Sequence, residues 1–137
     1  MAKYLVNGNV TIEVDDSGGT LRDITAHVTD IDTIGKEQRD IDDTTFSDTA
    51  ESVIAGIEAS QEFSIGGWMD DAVTTGSDTV LSGIVGSIGT VKVTGKSGVR
   101  SFQSEMLCKS YKLGVSINDF IRFNATFKQD GAMTVGT

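Results

Sequence analysis

Asp40-Ile41-Asp42-Asp43-Thr44-Thr45-Phe46-Ser47-Asp48 is followed further along the chain by Phe63-Ser64-Ile65-Gly66-Gly67-Trp68. The first run is polar and acidic, and Phe46 is its one large aromatic side chain. The second alternates apolar with small residues, the pattern of a strand with one buried and one wet face. Phe63 and Ile65 point inward on this reading, and Gly66-Gly67 marks a bend or a close approach of backbone. Together the two runs describe a long surface excursion that returns into a sheet.

Working outward, residues 29–43 contain only Ile31, Ile34 and Ile41 as aliphatic side chains, diluted by charge. A polar segment of this length seldom lies idle in a compact domain. It predicts a hairpin of residues 28–35 and 39–46, with the turn near Gly35-Lys36-Glu37-Gln38. An isolated two-stranded hairpin is marginal in water, so this one is predicted to need a partner. Asp40, Asp42, Thr44, Asp48 and Glu51 have calcium-loop spacing, but Thr45 stands where that loop requires glycine. A solvated acidic face explains the spacing better.

The flanks carry the same period. Residues 9–15 place Val10, Ile12 and Val14 on one side, and Asp16-Ser17-Gly18-Gly19 turns the chain. Residues 91–94 and 100–108 read as strands about the turn Gly95-Lys96-Ser97-Gly98. Residues 111–116 read as a short strand. In residues 120–128, Ile121, Phe123, Ala125 and Phe127 alternate with polar partners, and 128–137 read as a C-terminal tail. Residues 48–51 could cap a short helix over 52–55, although Val53 and Ile54 suit a strand equally. A helix is predicted over 77–88, capped by Ser77 or Asp78, with Val80, Leu81, Ile84, Val85 and Ile88 on one face. Gly83 and Gly86 each cost it up to about 1 kcal/mol relative to alanine. The expected fold is therefore one mostly β domain over 1–137: a two-sheet sandwich or open barrel, one flanking α-helix and a long polar hairpin.

Charge and composition narrow the function. The 137 residues carry 11 Lys and Arg against 20 Asp and Glu, a net charge of −9. That excludes the basic footprint of a tight nucleic-acid binder. The single Cys108 cannot form an intramolecular disulfide. It shares a strand face with Met106 and Phe102, so it reads as an inert core thiol. His27 is the only histidine and no cysteine cluster accompanies it, which argues against a metal centre. No Gly-x-Ser-x-Gly elbow occurs. Gly95-Lys96-Ser97 lacks the upstream glycine and following helix of a phosphate loop. No apolar run reaches the length of about 18 residues that spans a membrane. The N-terminus lacks an apolar signal-peptide core, so the chain is expected to be made and kept in a cytosol. Neither enzyme activity nor a cofactor is expected.

Several of these pieces, in this order, resemble the major tail tube protein of long-tailed, siphovirus-type bacteriophages. They are Leu21-Arg22-Asp23-Ile24-Thr25, the acidic run into Thr44-Thr45-Phe46 with Ser47-Asp48, Ala55-Gly56-Ile57 and Gly67-Trp68-Met69-Asp70. Ser110-Tyr111, a turn with Asp119 and the strand Phe123-Asn124-Ala125-Thr126-Phe127 close the series. The resemblance implies hexameric rings stacked into a hollow tube for DNA delivery, in a virion tail assembled in the host cytoplasm. The implied partners are further copies of the chain, other tail proteins at the tube ends and passing double-stranded DNA that is not specifically bound. On this reading Ile34, Arg39, Ile41 and Phe46 are expected at the subunit interface, and Asp42 and Glu62 on the lumen wall. The competing reading is a small acidic β-domain that decorates a head or joins head to tail without polymerising.

Overall fold

The alternation becomes nine strands and one short helix among residues 3–6 and 8–136, which a computed structural model describes. The strands are β1 (Thr11–Asp15), β2 (Leu21–Asp23), β3 (Val28–Ile31), β4 (Gln38–Asp42), β5 (Val53–Glu58), β6 (Glu62–Trp68), β7 (Ile88–Lys96), β8 (Arg100–Gly114) and β9 (Arg122–Gly136); the helix is α1 (Ser77–Leu81). Seven strands form one antiparallel sheet in the order β2-β1-β7-β8-β9-β6-β3. Among the described residues β4 and β5 pair only with each other. The chain is thus mostly β, and of the two expected architectures it is the open barrel.

The curl of the sheet follows from its connectivity. β2 and β3 lie at opposite edges of the sheet yet are joined by only Ile24 and the 3₁₀ turn Thr25–His27. A flat sheet of this width would separate its edges by about 29 Å at strand spacings near 4.8 Å. The link can span at most about 18 Å even when fully extended. The sheet must therefore roll up until its edges approach. Ile24, fully buried, donates its N–H to the Ile12 carbonyl at 3.0 Å, and the Ile12 N–H donates to Thr25 Oγ1 at 2.9 Å. At the other edge β3 lies so close to β6 that a Cβ on Gly67 would stand 1.9 Å from the His27 carbonyl oxygen. That is the close approach the paired glycines announced.

The concave side holds the core. Ile12 and Val14 of β1, Val91 and Val93 of β7, Phe63 and Ile65 of β6, and Phe123, Ala125 and Phe127 of β9 all turn into it. Val80 and Leu81 of α1 cover these side chains, with Ile84 beside them. Each such burial contributes about 1.5–3 kcal/mol.

Six local expectations are corrected. β3 pairs with β6, and the hairpin is β4–β5, with its turn in the acidic run rather than near Gly35. Residues 52–55 enter a strand, where β-branched Val53 and Ile54 fit the pleat. The helix stops at Leu81, and Gly86, at φ +86°, turns the chain and donates its N–H to the Cys108 carbonyl at 2.8 Å. Its capping position is Gly76; Ser77 instead donates to the Trp68 carbonyl at 2.7 Å and accepts the Asp70 N–H at 3.0 Å. Residues 111–114 continue β8 rather than forming a separate strand. Residues 128–136 are no tail: β9 runs to Gly136 and buries Gln129 and Met133. Gly131, at φ +85°, lies where the β8–β9 register shifts, and such irregularities bend a long strand.

The seam at Gly67 yields the first prediction. Gly67→Ala forces the edge strand off its seat and should cost about 1–3 kcal/mol or more, as overpacking does. Urea denaturation should show the lowered midpoint, and an unchanged midpoint would contradict this account of the seam.

Candidate assembly surface

β4 and β5 leave the half-barrel as a two-stranded arm. Ile41 stands directly opposite Ile54, and Asp42 opposite Val53. Cross-strand partners share a face, so Ile41 and Ile54 form an apolar pair. Both are 51% exposed, Ile57 is 77% exposed, and Phe46 at the tip is exposed entirely. Side chains shape the turn: Asp42 Oδ1 accepts the Thr44 N–H at 2.9 Å, and Asp48 Oδ2 accepts the Thr45 N–H at 2.7 Å. The bonds from Thr44 hold the Asp42 carboxyl below the usual carboxylate range.

The root of the arm is anchored. The carboxylate of Glu58, at the end of β5, accepts the Met133 N–H and the Gln129 Nε2–H, each at 2.7 Å, and lies 3.5 Å from Lys36 Nζ. The Met133 bond is the main cause of its lowered pKa. The Ala59 N–H donates to the Glu37 carbonyl at 2.7 Å. The arm is therefore fixed where it starts and bare where it ends.

Three of the four expected interface residues, Arg39, Ile41 and Phe46, are exposed on this arm. Ile34 is not with them: it is half-buried and packs on the core, because the chain passes back over the body before β4 begins. Ile54 and Ile57 are exposed on the same arm and were not among the expected interface residues. The two expected lumen residues lie apart, Asp42 on the arm and Glu62 on β6. Glu62 pairs with Lys109 and stands opposite Lys128, and the Lys109 bond holds its carboxyl low.

A second bare region lies at the far end of the same sheet. Glu62, near the arm, pairs with Lys128, while Trp68 pairs with Arg122 six residues further on, about 20 Å away at strand rise. There the β8–β9 turn exposes Val115, Ile117 and Phe120. Phe120 meets Trp68 edge to face at 5.3 Å, and the Arg122 guanidinium lies over the Trp68 ring at 4.4 Å. Asp119 Oδ2 accepts from Arg122 Nε at 3.0 Å.

The other chemically notable groups are occupied in structure. Cys108 is buried, and burial pushes its thiol up. Tyr111 donates to Asp78 at 2.9 Å, and burial raises its phenol well above the usual value. His27 Nδ1 lies 3.3 Å from Asp70 at the seam. Among the described residues no three His, Cys, Asp or Glu side chains gather as a metal site.

No protein-family model and no curated protein matches the sequence. The fold does match solved structures. A chain in the tail of an empty gene transfer agent particle, described with C6 symmetry, superposes with a TM-score of 0.74 at 17% identity, covering 99% of this chain and 100% of that one. A chain from the sheath/tube terminator of an extracellular contractile injection system has a TM-score of 0.71 at 9% identity, with 100% and 99% covered. A chain from the tube-terminating cap of the anti-feeding prophage has a TM-score of 0.68 at 10% identity, with 100% and 94% covered.

The anchor at Glu58 is testable by pH. Because its folded pKa is depressed, its contribution is present above the ordinary carboxylate pKa of about 4.3 and lost as pH falls through the lower folded value. Amide protection at Met133 and along β4 should fall over that window, and Glu58→Ala should lower it at neutral pH. Protection that is independent of both pH and the substitution would contradict the anchor.

Proposed function

We propose that this chain is a non-catalytic structural subunit that polymerises, as stacked hexameric rings, into the tail tube of a long-tailed phage or phage-like particle. One observation carries the reading. A well-packed half-barrel holds out an anchored arm whose apolar pair, Ile41 and Ile54, is half exposed and whose apolar tip, Phe46, is wholly exposed. An exposed two-stranded sheet of this kind is marginal alone, and apolar surface left bare at one place marks a contact site. The likeness of fold to chains from a particle tail with C6 symmetry and from a contractile sheath-tube complex supports the same reading.

In this proposal the subunit resides in the virion tail after assembly in the host cytoplasm, and other tail proteins close the tube ends. Double-stranded DNA passes through the bore without specific binding. Glu62, on the wet face of β6, is proposed for the bore wall, where Lys109 and Lys128 offset its charge. Asp42 goes with the arm and its contacts instead. Most of the acidic surplus then lies on contact surfaces, and the wall holds a passing duplex weakly through balanced charge rather than through strong repulsion.

Sedimentation at rising concentration, with negative-stain imaging, tests the reading. The native chain should form rings or tubes. Ile41→Ser with Phe46→Ser should leave a folded monomer with nearly unchanged stability, since both side chains are exposed. A native chain that stays monomeric at its highest soluble concentration would overturn the proposal, as would a double variant that assembles like the native chain.

A further inference from the structure

The two ends of the long β8–β9 pair are both apolar and opposite in charge. β8 is 15 residues long, up to about 50 Å at full strand rise. At its Arg100 end the β7–β8 turn meets the segment that precedes β1. Lys96 Nζ lies 5.3 Å from the centroid of the Tyr4 ring and donates to Asn9 Oδ1 at 3.2 Å, and Asn9 Nδ2 donates to the Leu5 carbonyl at 2.7 Å. Leu5 and Val6 are largely exposed there, and Val99 is exposed in the turn. At the Gly114 end the Met69 N–H donates to the Ile121 carbonyl at 2.9 Å, which ties the loop of residues 69–76 to the β8–β9 turn. Val73 of that loop joins Val115, Ile117 and Phe120 as an exposed apolar side chain. We propose that these ends are the two halves of an axial contact, in which the 69–76 loop and β8–β9 turn of one copy seat on residues 4–6 and the β7–β8 turn of the next. The inference rests on the tube reading, and it assigns ring stacking to surfaces other than the arm, which is rooted at Gln129 midway along β9.

Charge selects the partner. Residues 3–10 and 95–100 carry three basic side chains, Lys3, Lys96 and Arg100, and no carboxylate. Residues 69–76 and 115–121 carry three carboxylates, Asp70, Asp71 and Asp119, and no basic side chain. Asp70 lies beside His27, and Asp119 is paired with Arg122 of the adjoining strand, so the exposed Asp71 is the carboxylate left for a neighbour. Across the β7–β8 turn Lys96 stands directly opposite Arg100, and like charges so placed repel until a carboxylate meets them. Opposed charge of this kind steers encounter and fixes register. The bare aliphatic side chains on both surfaces suit a protein partner rather than a phosphate backbone. Because the two surfaces differ and lie at opposite ends, each contact leaves one of each unused, and stacking continues.

Imaging of assembly variants tests the assignment. Val115→Ser with Ile117→Ser should form single rings and no tubes, whereas the arm variant gives monomers. Lys3→Glu with Arg100→Glu should raise the concentration needed for tube growth about tenfold, and adding Asp71→Lys should lower it again. Leu5→Cys and Ile117→Cys, mixed and treated with a bismaleimide, should give a cross-linked dimer that neither variant gives alone; Cys108 is buried and stays out of the reaction. Should the serine variant misfold, the cysteine pair decides. Normal tubes from the serine variant, or tubes of the cysteine mixture without the dimer, would overturn the axial contact while leaving the tube reading in place. A folded serine variant that stays monomeric would also overturn it, because the loop would then belong to the ring and not to the stack. A native chain that never forms rings or tubes would overturn both.

Discussion

The link of Ile24 and the 3₁₀ turn Thr25–His27 ties one edge of a seven-stranded sheet to the other, and the rest of the molecule follows from how short it is. A chain that must join both edges in so few residues cannot leave the sheet flat. Rolling the sheet separates its faces cleanly. The concave face takes the large apolar side chains and α1, and the convex face takes Glu62, Arg122, Asn124 and Lys128. Gly67 is the local condition for the seam, because any side chain there would meet the His27 carbonyl.

The same closure leaves the arm outside. With the concave side filled, β4 and β5 have no face of the body to cover, and their pairing is with each other alone. Ordering a residue costs about 1–2 kcal/mol of backbone entropy, and the arm's apolar side chains offset little of that while exposed. The Glu58 carboxylate, with Met133, Gln129 and Lys36, directs the root without covering the tip. In the proposed assembly the arm is thus aimed before it meets a neighbour, and less ordering remains to be done on contact.

Most of the body was legible because alternation reports which face of a strand is buried. Val10 to Val14, Phe63 to Ile65 and Phe123 to Phe127 needed nothing else. Alternation does not report the partner, which is why β3 was matched to β4 when its mate, β6, lies beyond the whole arm. Glycines misled in two ways. The helix stops at Leu81, and Gly83 and Gly86 lie in turns where the apolar spacing would have continued it; Gly131 interrupted the period of β9 so that a buried strand read as a tail. For the proposed contact surface, Arg39, Ile41 and Phe46 stood out in a polar run, and all three are exposed on the arm. Ile34 stood out equally and packs on the core, since one apolar residue in a polar segment does not say which body it will cover.

In the proposed tube the arm is an intermolecular element. Electron cryomicroscopy of the assembled native chain tests it most directly. Helical or ring density should show Ile41, Ile54 and Phe46 buried against another copy while the half-barrel keeps its fold. Density in which the arm projects into solvent, with the subunits joined elsewhere, would contradict it.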